Sequence, residues 1–436
     1  MSETLLQETD ARAGAAIAEG PDWLEAVRRA AAERFAQTGF PGSRDEEWRF
    51  TPIGPIAQGV WRAAPTASAG VTREQLAPFT FGHPEWNTLV FVNGLYSEAL
   101  SIASALPAGV VVSSLAEALR SDGALLERHL TRHAPAEGSP FTAVNTASFR
   151  EGGVVHVPAN VDLDQPVHLL FVSTAAAGGS VTHPRNLIVV ERGARASVIE
   201  SYVTLAPGQS YWSNPVTEVS AGAGSWLEHT RIQRESEAAY HVGLTHVDQQ
   251  RDSHYRSFSM AMGAALARHN LHVRLNDENV ETLMYGLYLT RGEQVADNHT
   301  AIFHDHPNCR SWEVYKGVLD DRSRAVFNGK VFVTPEAQKT DAKQTNRNLL
   351  LSDSAKVNTK PQLEIFADDV KCTHGATVGR LDSAALFYAR SRGVPAAAAE
   401  RLLTYAFAAE VIDEVALPPV REELDRLVLE RLETGV

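Results

Sequence analysis

The sequence predicts a mainly β protein, a β-helix held between helical regions at its two ends. Three observations carry this. From about residue 153 to 378, short β-rich runs follow one another, punctuated by Gly, Asn, Asp and Ser. No βαβ alternation interrupts them, which argues against a doubly wound sheet. A turn followed by an alternating strand returns about every 25 to 30 residues, the spacing of one solenoid rung. A single rung leaves its inward row in water, so stacking must supply the core. On pattern alone, a β-sandwich is the alternative.

The elements follow in chain order. A flexible leader is expected over 1–20, ended by Gly20-Pro21. A helical and mixed region then fills 21–150. Its first helix has Asp22 as a cap and Trp23, Val27, Ala30, Ala31 and Phe35 as an apolar face, and Gly39 stops it. The polar connection over 41–52 carries two aromatic anchors, Trp48 and Phe50, expected to pack onto the following domain. Residues 86–96 read as strand, turn and strand around Asn93-Gly94, and 114–132 as helix.

The β-helix core is expected over 151–379. Strands are predicted at 167–173, 187–191, 196–202, 226–233 and 271–275. A weak repeat aligns Gly193 with Gly222, a spacing of 222 − 193 = 29 residues. A helical domain closes the chain over 380–436. Asp382 or Ser383 caps its first helix and Gly393 ends it; Pro395 starts the second. Leu402, Leu403, Ala406, Phe407, Val411 and Ile412 form an apolar stripe there, and Pro418-Pro419 precedes a third, acidic helix.

Composition removes several function classes. Forty bases against 53 acids give a net charge of −13, which argues against a general nucleic-acid surface. No apolar run is long enough for a membrane-spanning helix, and residues 1–10 lack the basic and apolar regions of a secretion signal. A cytoplasmic location is expected. Only Cys309 and Cys372 occur, so a disulfide framework is not expected. There is no phosphate-cradling GxxxxGK[ST] loop, so no nucleotide is expected on this chain. GxSxG and HExxH are also absent.

Two groups remain as ligand candidates. His304-Asp305-His306 with Cys309 offers transition-metal donors, but histidines are dense here and Pro307-Asn308 suggests a loop. The more informative pair is Cys372 and His374. If they sit on the last strand they share a face, about 6.6 Å apart along it. A thiolate and an imidazole make an iron-competent half-site. Two ligands cannot hold a cluster alone, so a second chain or external ligands must complete it. A buried cysteine beside a hydrogen-bonded histidine is the plainer alternative.

Several stretches resemble a known family: Asn308-Cys309-Arg310-Ser311, Tyr315-Lys316-Gly317-Val318-Leu319-Asp320, Val326-Phe327-Asn328-Gly329-Lys330-Val331 and the segment 368–379. Together they are similar to the SufB/SufD family of the SUF iron–sulfur cluster assembly system. Lys371-Cys372-Thr373-His374-Gly375-Ala376 and Glu47-Trp48-Arg49-Phe50-Thr51-Pro52 look like the SufD branch rather than the SufB branch. The resemblance implies a right-handed parallel β-helix between helical regions. It also implies a non-catalytic scaffold, paired with a SufB paralogue through the β-helix and with the SufC ABC-type ATPase through the C-terminal helices. Without SufB, a second copy of this chain is the alternative partner. His374, with Cys372 nearby, is then expected to meet a transient iron–sulfur cluster or iron shared with SufB. A purely structural adaptor is the competing reading. A polysaccharide-cleaving β-helix enzyme would need a groove of paired acids, and none is visible.

Overall fold

The computed structural model describes residues 20–65 and 70–434. The leader expected over 1–20 thus lies outside the described residues, Gly20 excepted. From Gly153–Val157 to Lys371–Gly379 the chain winds a β-solenoid of about eight turns. Successive long strands alternate between two sheets, and each pairs in parallel with the strand two places on. Tyr240 lies beside Leu266 and Val154 beside Leu187, so a turn takes 26 to 33 residues (266 − 240 and 187 − 154).

The pleat explains the sequence pattern, because alternate residues face the solenoid interior. Phe327, Val331 and Val333 on one sheet meet Tyr288, Tyr315 and Ala342 from the other in a continuous core. Consecutive rungs need their turns in the left-handed region. Gly193 and Gly224 both take it, with φ near 67° and 66°. Arg195 pairs with Trp226, so the true repeat here is 224 − 193 = 31 residues. The alignment of Gly193 with Gly222 is therefore two residues out of register.

Some interior positions admit no side chain at all. A Cβ on Gly317 would lie 2.0 Å from Tyr288 Cε2 and 2.6 Å from Asn348 Oδ1, both buried. Gly317→Ala should cost about 1–3 kcal/mol by overpacking. Gly375, with open space around it, is the control. Urea denaturation of the two alanine variants checks this: the first midpoint should fall and the second should stay.

The two ends of the solenoid differ. At the start, Asn87–Val92 extends one sheet by pairing with Val167–Ser173, and turns back through Asn93-Gly94 onto Leu95–Tyr96. Val111–Ser114 runs antiparallel to Gly153–Val157 and extends the other sheet. At the finish, Lys356–Ile365 and Lys371–Gly379 are the last strands of their sheets. Among the described residues nothing pairs with their outer edges.

The flanking regions cover the outer faces. Phe35, Trp48 and Phe141 pack on Trp212, Val242, Leu266 and Val295 of the first sheet. The helices Ala396–Ile412 and Pro418–Glu433 lay Ala408, Val411, Leu424 and Val428 on Phe258, Met260, Leu287 and Val318 of the second. Local expectations need some correction. The first helix, Asp22–Thr38, has Pro21 as its cap; it buries Leu24, Ala31 and Phe35 while Ala30 is exposed. Residues 114–132 form two short helices, Leu115–Ser121 and Gly123–His129, divided at Asp122. Trp48 is buried, but Phe50 is exposed beside Arg49. Leu402 and Ala406 face outward rather than inward.

Candidate functional site

The last turn of the solenoid carries both residues singled out in the sequence. Cys372 stands beside Ala342 and His374 beside Gln344 in the parallel register. Ala342 and Gln344 are buried interior residues, so Cys372 and His374 share the interior-facing row. Among the described residues no further rung covers that row, and His374 is exposed at the open end. Cys372 is half-buried and packs against the core edge with Leu363, Ile365 and Val370. Burial raises its pKa above the ordinary thiol value, so at neutral pH it is a protonated thiol.

Beneath His374 the interior row is polar. Glu313, Gln344 and His374 stack on successive rungs, about 4.8 Å apart. Gln344 Nε2 donates to Glu313 Oε2 at 2.7 Å, while Glu313 Oε1 has no hydrogen-bond partner among the described residues. Burial pushes the Glu313 pKa up to about 7. Gly329 makes room for this pair, since a Cβ there would lie 2.3 Å from Gln344 Nε2. Sequence reading missed Glu313 and Gln344 because a carboxylate and an amide in an alternating strand read as solvent-facing. The available signal was their equal phase with His374, one rung apart.

The other candidate does not assemble. His304 is buried inside the solenoid, with Nε2 2.8 Å from Ser311 Oγ. Cys309 is buried too, its Sγ donating to the Asp277 carbonyl at 3.2 Å, and burial raises its pKa to about 11. His304 and Cys309 are thus core residues. Among the described residues no three His, Cys, Asp or Glu side chains converge as a metal site. Cys372 and His374 remain a pair, with no third donor among the described residues.

Among the described residues no helix is long and apolar enough to cross a membrane. The helix Ser383–Ser391, next to the open turn, buries none of its residues. Phe387 and Tyr388 on it, with Phe366 and Val378 on the adjoining turn, are exposed large apolar residues. A face of this kind marks a protein contact more often than bare surface.

Comparison with known proteins agrees with this arrangement. Residues 171–407 match the family model described as SUF system FeS cluster assembly, SufBD core domain, and 9–169 match the SufBD protein N-terminal region. A SufBD family iron–sulfur cluster assembly protein of Synechocystis is 35% identical over 92% of this chain and 89% of its own length. The iron–sulfur cluster assembly protein SufD of Escherichia coli is 32% identical over 92% of both chains. SufD of Bacillus subtilis is 26% identical over 93% of both. With its solenoid, its open last turn and these relatives along nearly its full length, the chain belongs to the SufBD family and has a role in iron–sulfur cluster assembly.

Proposed function

We propose that the chain is a non-catalytic scaffold subunit of a cytoplasmic SUF complex. Its open last turn docks on a SufB paralogue, and its C-terminal helices engage the SufC ATPase. The observation that carries this reading is the asymmetry of the solenoid: sheet extensions cover one end, while unpaired strand edges and an exposed His374 stand at the other. An uncovered edge is a template for another chain's strands. A solenoid that lacks a terminal cap is incomplete until something stacks on it.

In this reading iron or a nascent cluster is the cargo, met at the boundary between the two subunits. His374 offers an imidazole nitrogen from the exposed row. Cys372 offers a softer donor once its thiol gives up a proton. The remaining donors come from the partner and from sulfide. SufC hydrolyses ATP, and the C-terminal helices transmit its movement to the solenoid through their packing on the second sheet. Support for that transmission is the set of buried contacts around Phe258, Leu287 and Val318.

His374→Ala in the assembled complex tests the assignment. The expected result is normal co-purification of all subunits with cluster yield reduced several-fold. An unchanged yield from an intact complex would remove His374 from the mechanism. The half-buried, protonated state of Cys372 favours a second reading, a structural adaptor without ligands of its own. That reading predicts that Cys372→Ala and His374→Ala are both tolerated while removal of the chain after Arg380 disperses the complex.

A further inference from the structure

The first sheet carries a second site on its outer face, on the side away from the C-terminal helices. In the register of that sheet, His246, His272, Ala301 and Lys330 stand side by side on four successive strands. Ala301 is the smallest member of this row, and it leaves a gap between imidazole and ammonium. The N-terminal region bridges over the gap with Trp48 and the 134–142 segment. The result is a cleft of about 370 Å³, within the size range of small-molecule sites.

Its groups are unevenly satisfied. The His272 ring makes no hydrogen bond with any described residue and stands edge-on to His246, at 6.2 Å between centroids. Burial pushes its pKa down to about 3, so the ring is neutral, with one donor and one acceptor nitrogen free. Asn328 is 7% exposed; its Nδ2 donates to Glu47 at 3.1 Å, but its buried Oδ1 has no donor among the described residues. A buried acceptor left in this state costs stability unless something fills it.

The charges lining the cleft are also one-sided. Arg268, Arg274 and Lys330 line it against a single carboxylate, Glu47. That carboxylate is already engaged by Asn328 and by His299 Nδ1. Each cation has a carboxylate behind it: Asp297 holds Arg268 at 3.0 Å, Asp305 holds Arg274 at 3.0 Å and Glu364 holds Lys330 at 2.7 Å, but none of these three acids lines the cleft. Leu244, Pro135 and Phe303 give apolar walls.

We propose that this cleft binds a small organic anion, nucleoside monophosphate-sized at most, whose apolar or aromatic body bears an O–H or N–H group. The anionic group lies toward Arg274 and Lys330. The O–H or N–H donates to Asn328 Oδ1, and the His272 ring contributes a further donor and acceptor. The body fills the space over Ala301. None of this involves Cys372 or His374, which lie at the open end of the solenoid.

Calorimetric titration of the full chain with 4-hydroxyphenyl phosphate tests the proposal, with inorganic phosphate titrated in parallel. The organic probe should bind one-to-one in the millimolar range or tighter, and phosphate alone should bind at least roughly tenfold more weakly. Ala301→Leu, which fills the gap, and Lys330→Gln, which removes a cation from a half-exposed side chain, should each weaken the probe by roughly tenfold or more. Melting temperature is measured alongside; should Ala301→Leu unfold the chain, Lys330→Gln and Asn328→Leu carry the test. Three results would overturn the site: no binding at millimolar probe, equal affinity for phosphate alone, or affinity unchanged in the folded variants.

Discussion

Glu218→Ala is expected to destabilise the protein by about 3–5 kcal/mol, enough to leave a marginal chain largely unfolded. Glu218 and Arg185 are both completely buried and sit on neighbouring strands of the first sheet. The carboxylate accepts from Arg185 Nε at 2.9 Å, and its Oε1 lies 2.7 Å from Arg185 Nη2 as an ion pair. It also accepts from the backbone N–H groups of Thr131, His133 and Ala134 at 2.7, 2.9 and 3.0 Å. Arg185 reaches on to Asn145, Thr146 and the Ala134 carbonyl. This one pair therefore ties the early rungs to the N-terminal region. Removing the carboxylate strands a buried guanidinium and takes the acceptor from three backbone N–H groups, one buried and two part-buried.

The pair also shows which of two explanations applies. If its value lay in direct attraction, deleting both partners would cost more than deleting one. Desolvation predicts the reverse, since an apolar pair leaves no orphaned charge. Arg185→Met with Glu218→Leu should then be less destabilised than Glu218→Ala alone, although the three N–H groups still lose their acceptor. Urea denaturation of the single and double variants decides it. A Glu218→Ala midpoint close to that of the unaltered protein would refute the account.

Arg185 and Glu218 also mark where sequence reading ran out. Strand positions were legible because apolar residues alternate: 167–173 was placed to the residue, and 226–233 to within one. The closing strand and the common face of Cys372 and His374 followed from the same period. What alternation cannot show is which polar residues lie inside. Glu313 and Gln344 occupy inward positions, while Glu218 and Arg185 lie on an outer face that the N-terminal region then buries. Both cases depend on contacts far apart in the chain. Helix faces failed for a similar reason. Val411 and Ile412 of the expected apolar stripe are buried, but Leu402 and Ala406 are not, and the helix turns Ala399, Thr404 and Ala408 to its neighbours in their place. The cleft over Ala301 was invisible, because only the four-strand register brings His272 and Lys330 to either side of Ala301.

Glu313→Gln is expected to stabilise the protein at alkaline pH by up to about 3 kcal/mol, and to do progressively less as pH falls. The sign follows from the direction of the shift. Burial lifts the Glu313 carboxyl from its ordinary value near 4.5 to about 7 in the folded chain. Between those values the folded form holds a proton that the unfolded form has released. Folding then takes up a proton, so stability declines as pH rises through this window and levels off above about 7. Below about 4.5 both forms are protonated and the term vanishes. Glutamine keeps the shape and the contact with Gln344 but cannot ionise. The variant's advantage over the unaltered chain should therefore widen from pH 5 to pH 8, as measured by urea denaturation at each pH. A constant difference across that range would mean that Glu313 is not the buried, proton-holding carboxyl inferred from its place in the row. The same titration bears on the site above it. A carboxylate formed two rungs below His374, with only one amide donor to balance it, adds negative charge to the interior row that ends at the open turn. Cluster yield in the assembled complex should accordingly respond to Glu313→Gln above neutral pH, and not below about pH 5, where the folded chain holds Glu313 protonated.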